Sequence, residues 1–119
     1  MQSILIVDDD ISLCNILSEE LNEEGYDTSY LTNGTNVAKF LKDNKTDLVL
    51  LDLNVPGKGG FDIQKDINDQ SRFKTKVIIL TAFSDERSVI KSARLGASDF
   101  LCKPCDFEEL LNSIKKVLQ

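Results

Sequence analysis

Four short apolar runs in this chain each end directly before a side chain that could take part in chemistry. Those side chains are Asp8 with Asp9, Asp52, Thr81 and Lys103. In an open parallel sheet, ligands bind in the crevice outside the carboxyl ends of the strands, so the four runs would deliver these groups to one edge. Acids, a hydroxyl and an ammonium gathered there make a site for a divalent cation and a phosphoryl group.

The acidic residues have a plainer interpretation when each is taken alone. Capping and the helix macrodipole favour aspartates such as Asp8 and Asp9 at the start of a helix, and Asp52 suits the start of a turn. Three carboxylates at neighbouring strand ends, however, repel each other strongly unless a cation lies between them. Hard oxygen ligands with room for water and a phosphate oxygen favour Mg²⁺, or Mn²⁺, over zinc.

Lys103 follows its strand into this acidic pocket and is expected to find a partner there. It can pair with Asp52 and then with a phosphoryl oxygen as a point charge. Pro104 would fix the approach of the lysine, and a turn proline of this kind can follow a cis peptide bond. Phosphoryl transfer needs mainly positioning and charge neutralisation, so these groups together with the Thr81 hydroxyl and a metal are sufficient for it.

The elements that position these groups alternate between strand and helix five times, which predicts an α/β fold with helices on both faces of a parallel sheet. The expected strand order is 2-1-3-4-5, with edge strands at residues 26–31 and around Phe100. Apolar residues at helical spacing predict the buried faces of five helices. These are Leu13, Leu17 and Leu21; Val37, Phe40 and Leu41; Ile63 and Ile67; Val89, Ile90 and Ala93; and Phe107, Leu110, Leu111, Ile114, Val117 and Leu118.

Local signals predict where three of these helices begin or end. Gly25 is expected just past the end of the first helix, and Ser84 is expected to cap the start of the fourth. Asp106 with Glu109 predicts a capping box at the start of the fifth.

The composition of the chain limits its function. Its 119 residues fit one domain, residues 1–119, and a net charge of −6 argues against direct binding to nucleic acid or to an anionic membrane. The chain has no histidine and no Gly-rich loop of nucleotide-binding spacing, so any phosphoryl group must come from outside. Three cysteines, no long apolar run and no basic start predict a reduced protein of the cytoplasm.

The motifs, in their order along the chain, resemble the response-regulator receiver domain of two-component signalling, of the chemotaxis-regulator-like kind. The motifs are Asp8 with Asp9, Asp52, Thr81 with Ala82, and Lys103 with Pro104. The resemblance covers essentially the whole chain and implies a flavodoxin-like fold. It implies a signalling phosphoacceptor with slow autodephosphorylation rather than a conventional enzyme.

The resemblance also implies a role for each residue. Asp52 would accept the phosphoryl group, and Asp8 or Asp9, or both, would bind Mg²⁺ together with Asp52 and the backbone carbonyl of Asn54. Thr81 and Lys103 would bind phosphoryl oxygens. The remaining positions are Ala82, which would keep the pocket open, Phe83, which would limit access of water to the acyl phosphate, and Phe100, which would be the switch aromatic.

The partners are implied in the same way. The phosphoryl donor would be a sensor histidine kinase or a histidine phosphotransfer protein. The output would pass to an effector domain or protein through the surface of the fourth helix, fifth strand and fifth helix. The sequence of residues 96–100 resembles that of receivers from transcription activators and also that of stand-alone phosphorelay receivers. The output can therefore be either transcription control or a phosphorelay.

Two other classes of protein have to be weighed. Cys102-Lys103-Pro104-Cys105 is a Cys-x-x-Cys between a strand and a helix, where a thioredoxin-like redox pair lies, but it leaves the acidic cluster unexplained. A phosphatase of the haloacid-dehalogenase type has an Asp-x-Asp after its first strand. Here Asp52 follows the third, and Asn54 stands in place of the second acid.

Overall fold

The computed structural model of the protein describes residues 1–69 and 74–119. The strands are β1 (Ser3–Val7), β2 (Asp27–Leu31), β3 (Leu48–Leu51), β4 (Lys76–Thr81) and β5 (Asp99–Cys102). The helices of these ranges are α1 (Ile11–Glu23), α2 (Val37–Asp43), α3 (Gly60–Asp69), α4 (Glu86–Arg94) and α5 (Phe107–Val117), with a 3₁₀ turn (Gly34–Asn36) before α2. All pairings are parallel and the order is β2-β1-β3-β4-β5, which confirms the predicted flavodoxin-like arrangement.

The apolar side chains of the strands divide between the two faces of the sheet. Ile4 and Ile6 of β1 pack towards α1 and α5, whereas Leu5 and Val7 pack towards α2 and α3. Helices therefore cover both faces of the central strands, which explains why β1 and β3 are apolar on consecutive residues. Each such side chain contributes about 1.5–3 kcal/mol by leaving water.

Four of the five predicted helix faces are confirmed. Leu21 of α1, Ile63 of α3 and Ile114 of α5 are completely buried, and the other residues of these faces are buried or pack against the buried clusters. The predicted end of α1 is also confirmed, since Gly25 has φ +97° just past it. The predicted capping box of α5 is wrong, because the Asp106 side chain makes no capping hydrogen bond.

The predicted face of α4 is wrong. Val89, Ile90 and Ala93 are exposed, and the buried residue of this helix is Ser92. The predicted cap is displaced by one residue, because the Asp85 side chain, and not that of Ser84, accepts the hydrogen bond at the helix start. On the side of α4 that faces α3, the carbonyl of Ser92 accepts a hydrogen bond from Gln64 Nε2 at 3.1 Å.

Among the described residues, no helix is both long enough and apolar enough to cross a membrane.

Candidate functional site

Three carboxylates meet at the carboxyl end of the sheet. Asp8, Asp9 and Asp52 each place an oxygen within 4.8 Å of the others. The sheet itself brings two of them together, because the Asp8 N–H donates to the carbonyl of Leu31 and the Asp52 N–H donates to the carbonyl of Val7, at 3.1 and 3.0 Å. Asp8 and Asp52 are buried, at 3% and 8% exposure, while Asp9 lies at the surface.

The Asp52 carboxylate is hydrogen-bonded through both of its oxygens. Its Oδ1 accepts from the Thr81 hydroxyl at 2.7 Å and from the Asn54 N–H at 3.0 Å. Its Oδ2 accepts from the Lys103 ammonium at 2.9 Å. Thr81 is completely buried at the end of β4, so its hydroxyl is held in position by the strand.

Lys103 connects two of the three carboxylates. Its Nζ donates to Asp8 Oδ2 at 2.5 Å as well as to Asp52, and its side chain is only 23% exposed. The Lys103 N–H donates to the carbonyl of Thr81 at 2.9 Å, so the backbone of the lysine continues the pairing of β5 with β4. The peptide bond between Lys103 and Pro104 is cis, as the sequence allowed.

The surroundings of this pair favour its charged form. Burial alone would raise the pKa of Asp52, but the Asn54 N–H, the Thr81 hydroxyl and Lys103 outweigh it, and the pKa lies below its ordinary value. Burial would lower the pKa of Lys103, but hydrogen bonds to Asp8 and Asp52 outweigh it, and the pKa is raised. Asp52 is therefore an anion and Lys103 a cation at neutral pH.

The oxygen atoms fit a small hard cation. Mg²⁺ binds oxygen at about 2.0–2.1 Å, so opposite ligands lie about 4 Å apart, close to the separation that the three aspartates already allow. The burial of Asp8 and Asp52 also leaves their like charges without full hydration. These residues therefore suit Mg²⁺ or Mn²⁺ better than zinc. The backbone of Asn54 lies beside Asp52 through its N–H, and the role of its carbonyl stays a prediction.

Two of the predicted supporting residues, Ala82 and Phe83, come directly after Thr81. Ala82 and Phe83 follow β4 and are exposed, Phe83 at 51%, and the Phe83 N–H donates to the Thr81 hydroxyl oxygen at 3.2 Å. Phe83 borders a shallow cavity of about 180 Å³ together with Asn54. Phe100 is half-buried and packs on the α2 and α3 side of the sheet. Asp8, Asp9, Asp52, Thr81 and Lys103 are thus assembled at one edge, and the chemical roles of all the predicted site residues stay predictions.

One contact near the site was not foreseen. The Gly34 N–H, in the loop between β2 and α2, donates at 2.9 Å to the carbonyl of Pro56, in the loop that follows Asp52. The dipeptide Asn33-Gly34 is a turn signal, but nothing in the sequence indicates which segment the turn contacts.

The family profile described as "Response regulator receiver domain" matches residues 4–115. The chain belongs to this family. The match covers β1 from Ile4 onward, the other four strands in full, and each of the polar strand ends described above.

Individual relatives agree with this membership. The chain is 36% identical to Sporulation initiation phosphotransferase F of Bacillus subtilis over 98% of its length and 94% of that protein. It is 37% identical to Transcriptional regulatory protein CpxR of Klebsiella pneumoniae, of which it spans only half the length. Its structure superposes with TM-score 0.86 on the response regulator TrrA from Thermotoga maritima in complex with Mg(2+)-BeF, at 36% identity, covering 99% of this chain and all of that one.

The receiver family and the geometry both disfavour the redox alternative. Leu101 packs on the α1 and α5 side of the sheet and Phe100 on the other, so alternation along β5 places Cys102 on the side of Phe100. Cys105 packs on the α1 and α5 side, and both thiols are free. Two thiols directed to opposite faces are not arranged as a redox pair.

Proposed function

We propose that this receiver domain accepts a phosphoryl group on Asp52, in a Mg²⁺-dependent reaction, from a phosphohistidine of a sensor histidine kinase or a histidine phosphotransfer protein. One observation carries the proposal. The buried Asp52 carboxylate contacts both the Thr81 hydroxyl and the Lys103 ammonium, and two further carboxylates lie beside it. An acceptor, two groups for phosphoryl oxygens and a set of metal ligands therefore share one pocket.

Each residue of the site has a separate role in phosphoryl transfer. An oxygen of Asp52 forms a bond to phosphorus while the bond from phosphorus to the donor imidazole nitrogen breaks, and the imidazole leaves with the electron pair. Lys103, already a cation between Asp8 and Asp52, pairs with an oxygen of the arriving group. Asp8, Asp9, Asp52 and the Asn54 carbonyl would hold Mg²⁺, which neutralises charge on the phosphoryl oxygens. The relative TrrA has been solved in complex with Mg(2+)-BeF, which supports Mg²⁺ binding by this chain.

The output in this proposal is a shift between two conformations. The Thr81 hydroxyl now bonded to Asp52 would move to a phosphoryl oxygen, the half-buried Phe100 would turn inward, and Ala82 would leave room for the new group. Phosphorylation then favours one of two pre-existing states. The surface of α4, β5 and α5 would present that state to an effector.

The relatives support two kinds of output. CpxR, a transcriptional regulator, is about twice as long as this chain, whereas the Bacillus phosphotransferase is about the same length. We place the reaction in the cytoplasm and assign residues 1–119 to signalling, with transcription control or a phosphorelay as the output. In this proposal the domain catalyses only its own phosphorylation and its slow autodephosphorylation. It binds neither nucleic acid nor a membrane directly.

The test is phosphorylation in a defined mixture. The chain is incubated with a small phosphodonor and Mg²⁺, and intact-mass spectrometry should show one added phosphoryl group that is absent in Asp52→Ala and absent with a chelator. Asp62→Ala, which removes an exposed carboxylate from α3, is the matched control and should be phosphorylated normally. A mass gain that persists in Asp52→Ala contradicts the assignment of the acceptor.

The role of Phe83 is tested in the same mixture. Phe83 lies beside Asn54 at the exposed side of the pocket, where an attacking water would enter. Replacing it by Ala should shorten the lifetime of the phosphorylated form after the donor is removed. An unchanged dephosphorylation rate in Phe83→Ala and Phe83→Glu would exclude this role.

A further inference from the structure

Two loops beside the proposed site fit into each other without room for a side chain. They are the β2–α2 loop (residues 32–36) and the β3–α3 loop (residues 53–59), which begins directly after Asp52. A Cβ atom on Gly34 of the first loop would lie 2.8 Å from the carbonyl oxygen of Lys58 and 2.6 Å from Ile63 Cδ1. Contacts below 3.0 Å require something to shift, and the first of these atoms belongs to the backbone of the second loop.

The same close fit is found from the other side. A Cβ atom on Gly57 of the β3–α3 loop would lie 2.2 Å from Asn33 Oδ1 and 2.4 Å from Thr35 Oγ1. Gly57 also has φ +88°, a conformation that other residues rarely adopt. The hydrogen bond from the Gly34 N–H to the carbonyl of Pro56, at 2.9 Å, joins the two loops at this point.

Each loop is anchored, so neither can yield freely. Asn33 Oδ1 accepts from the Thr35 N–H at 2.7 Å, which closes the first loop into a tight turn. Lys58 of the second loop forms an ion pair with Asp66 of α3, and Val55 is buried in the core beneath it. A methyl group added to Gly34 can therefore be accommodated only if the backbone of one of the loops moves.

The β3–α3 loop matters for chemistry because it carries Asn54. The Asn54 N–H donates to Asp52 Oδ1 at 3.0 Å, and only Val55 separates Asn54 from the segment that the β2–α2 loop contacts. If residues 56–58 are displaced, the backbone of Asn54 is therefore expected to move relative to the Asp52 carboxylate.

We propose that the β2–α2 loop positions the β3–α3 loop for metal binding and phosphoryl transfer, with Gly34 as the positioning residue. The inference rests on the proposed function of Asp52. Groups that orient metal ligands typically change metal affinity by about 10- to 100-fold when they are altered. We expect the lower end of this range for Gly34→Ala, since a methyl group displaces the loop without removing a ligand.

Two other glycines of the chain supply matched controls. Gly59 lies in the same β3–α3 loop, and a Cβ atom there would meet nothing nearer than 3.9 Å. Gly25 lies at the end of α1 with φ +97° and has no atom within 4 Å of its Cβ position, so Gly25→Ala strains the backbone far from the site. Gly59→Ala controls for the added methyl group and Gly25→Ala controls for lost stability.

The measurement is the Mg²⁺ concentration that gives half the maximal rate of phosphorylation by a small phosphodonor, together with thermal unfolding of each variant. Gly34→Ala should raise that concentration about 10-fold. Gly59→Ala and Gly25→Ala should leave it within about twofold, although Gly25→Ala unfolds at a lower temperature. If lost stability alone raised the half-maximal Mg²⁺ concentration, Gly25→Ala would raise it as well as Gly34→Ala.

A second substitution tests the contact itself. Ile63→Val removes Cδ1, the atom nearest to the new methyl group, and should recover part of the Mg²⁺ dependence in the double variant with Gly34→Ala. Asn33→Ala opens the turn without inserting an atom, so it tests the loop even if Gly34→Ala does not fold. It should raise the half-maximal Mg²⁺ concentration by about threefold, a smaller effect than that of Gly34→Ala, because one neutral hydrogen bond contributes little net stability.

The possible outcomes separate the two proposals. If wild type is not phosphorylated at Asp52, the proposed function fails. If wild type is phosphorylated and both Gly34→Ala and Asn33→Ala show the Mg²⁺ dependence of Gly25→Ala, the positioning role is overturned while the function stands. An unfolded Gly34→Ala together with an unchanged Asn33→Ala likewise overturns it.

Discussion

Helices α4 and α5 flank the edge strand β5 on opposite faces of the sheet and are held there by opposite chemistry. α5 buries Leu110 and Ile114 at 1% and 0% exposure. α4 leaves Val89 and Ile90 36% and 43% exposed and buries Ser92.

Side-chain amides of α3 take the place of apolar packing under α4. Gln64 Nε2 donates to the carbonyl of Ser92 at 3.1 Å, and Asn68 Nδ2 donates to the carbonyl of Leu95 at 2.8 Å. A hydrogen bond of this kind contributes about 0.5–1.5 kcal/mol, whereas burial of one large aliphatic side chain contributes about 1.5–3 kcal/mol. Displacing α4 therefore costs less free energy than displacing α5, which suits the helix proposed to report phosphorylation.

The largest expected effect is on α5. Ile114→Ala should lower the free energy of unfolding by about 2–5 kcal/mol, because it leaves a cavity in a completely buried place. Ile90→Ala is the matched change on α4 and should cost no more than about 0.5 kcal/mol, because Ile90 is already exposed. Urea denaturation of both variants measures the difference, and equal losses would contradict the comparison.

The next effect concerns the amides under α4. Gln64→Ala should cost about 1 kcal/mol through the lost bond to Ser92, part of which is offset because the buried Gln64 Oε1 has no partner among the described residues. Hydrogen exchange at residues 89–95 should accelerate more than exchange in α5. Asn68→Ala, one helical turn along α3, should act in the same direction, and uniform acceleration across both helices would argue against amide anchoring.

A smaller effect is expected from the outer side of α4. The Lys91 ammonium lies 4.5 Å from the centre of the Phe61 ring of α3, a contact worth about 0.5–1 kcal/mol at an exposed place. A double-mutant cycle with Lys91→Met and Phe61→Leu should give a coupling of this size. The control is a second double-mutant cycle with Arg87→Met and Phe61→Leu, which should give no coupling free energy.

The smallest effect is a pH dependence at the start of α4. Hydrogen bonds from the hydroxyl and N–H of Ser88 hold the pKa of Asp85 below its ordinary value. Its capping contribution is therefore complete above the ordinary range, near pH 4, and is lost as the pH falls through the lowered pKa. The chemical shift of the Ser88 amide, which donates to the Asp85 carboxylate, should report this loss in wild type and not in Asp85→Asn.

Much of the fold and the site could be predicted because the signals are local and repeated. Runs such as Leu48–Leu51 are apolar on every residue, which identifies central parallel strands, and the residue after each run then lies at the carboxyl edge. Asp8, Asp52, Thr81 and Lys103 could be placed together on that argument alone. The second partner of Lys103, Asp8, could not be foreseen, because the choice between neighbouring carboxylates depends on side-chain geometry.

Two of the features that the sequence did not predict depend on segments that are distant in the chain. Val89, Ile90 and Ala93 have the spacing of a buried face, but the residue that α4 buries is Ser92. The carbonyl of Ser92 accepts a hydrogen bond from Gln64 of α3, which lies 28 residues away in sequence. Ser84 and Asp85 are adjacent and equally suited to cap a helix, so the sequence does not distinguish between them. In the structure, the Asp85 side chain accepts the capping hydrogen bond. The contact of Gly34 with Pro56 joins two loops that no pattern connects.

The α/β order of the elements, the family and the polar residues at the strand ends could all be predicted from the sequence, because periodicity and strand ends are properties of neighbouring residues. Three features are seen only in the folded structure: the buried face of α4, the two hydrogen bonds of Lys103 to Asp8 and Asp52, and the lack of room for a Cβ atom on Gly34. These features depend on atoms that are distant in the chain and meet only when the sheet and its helices are packed.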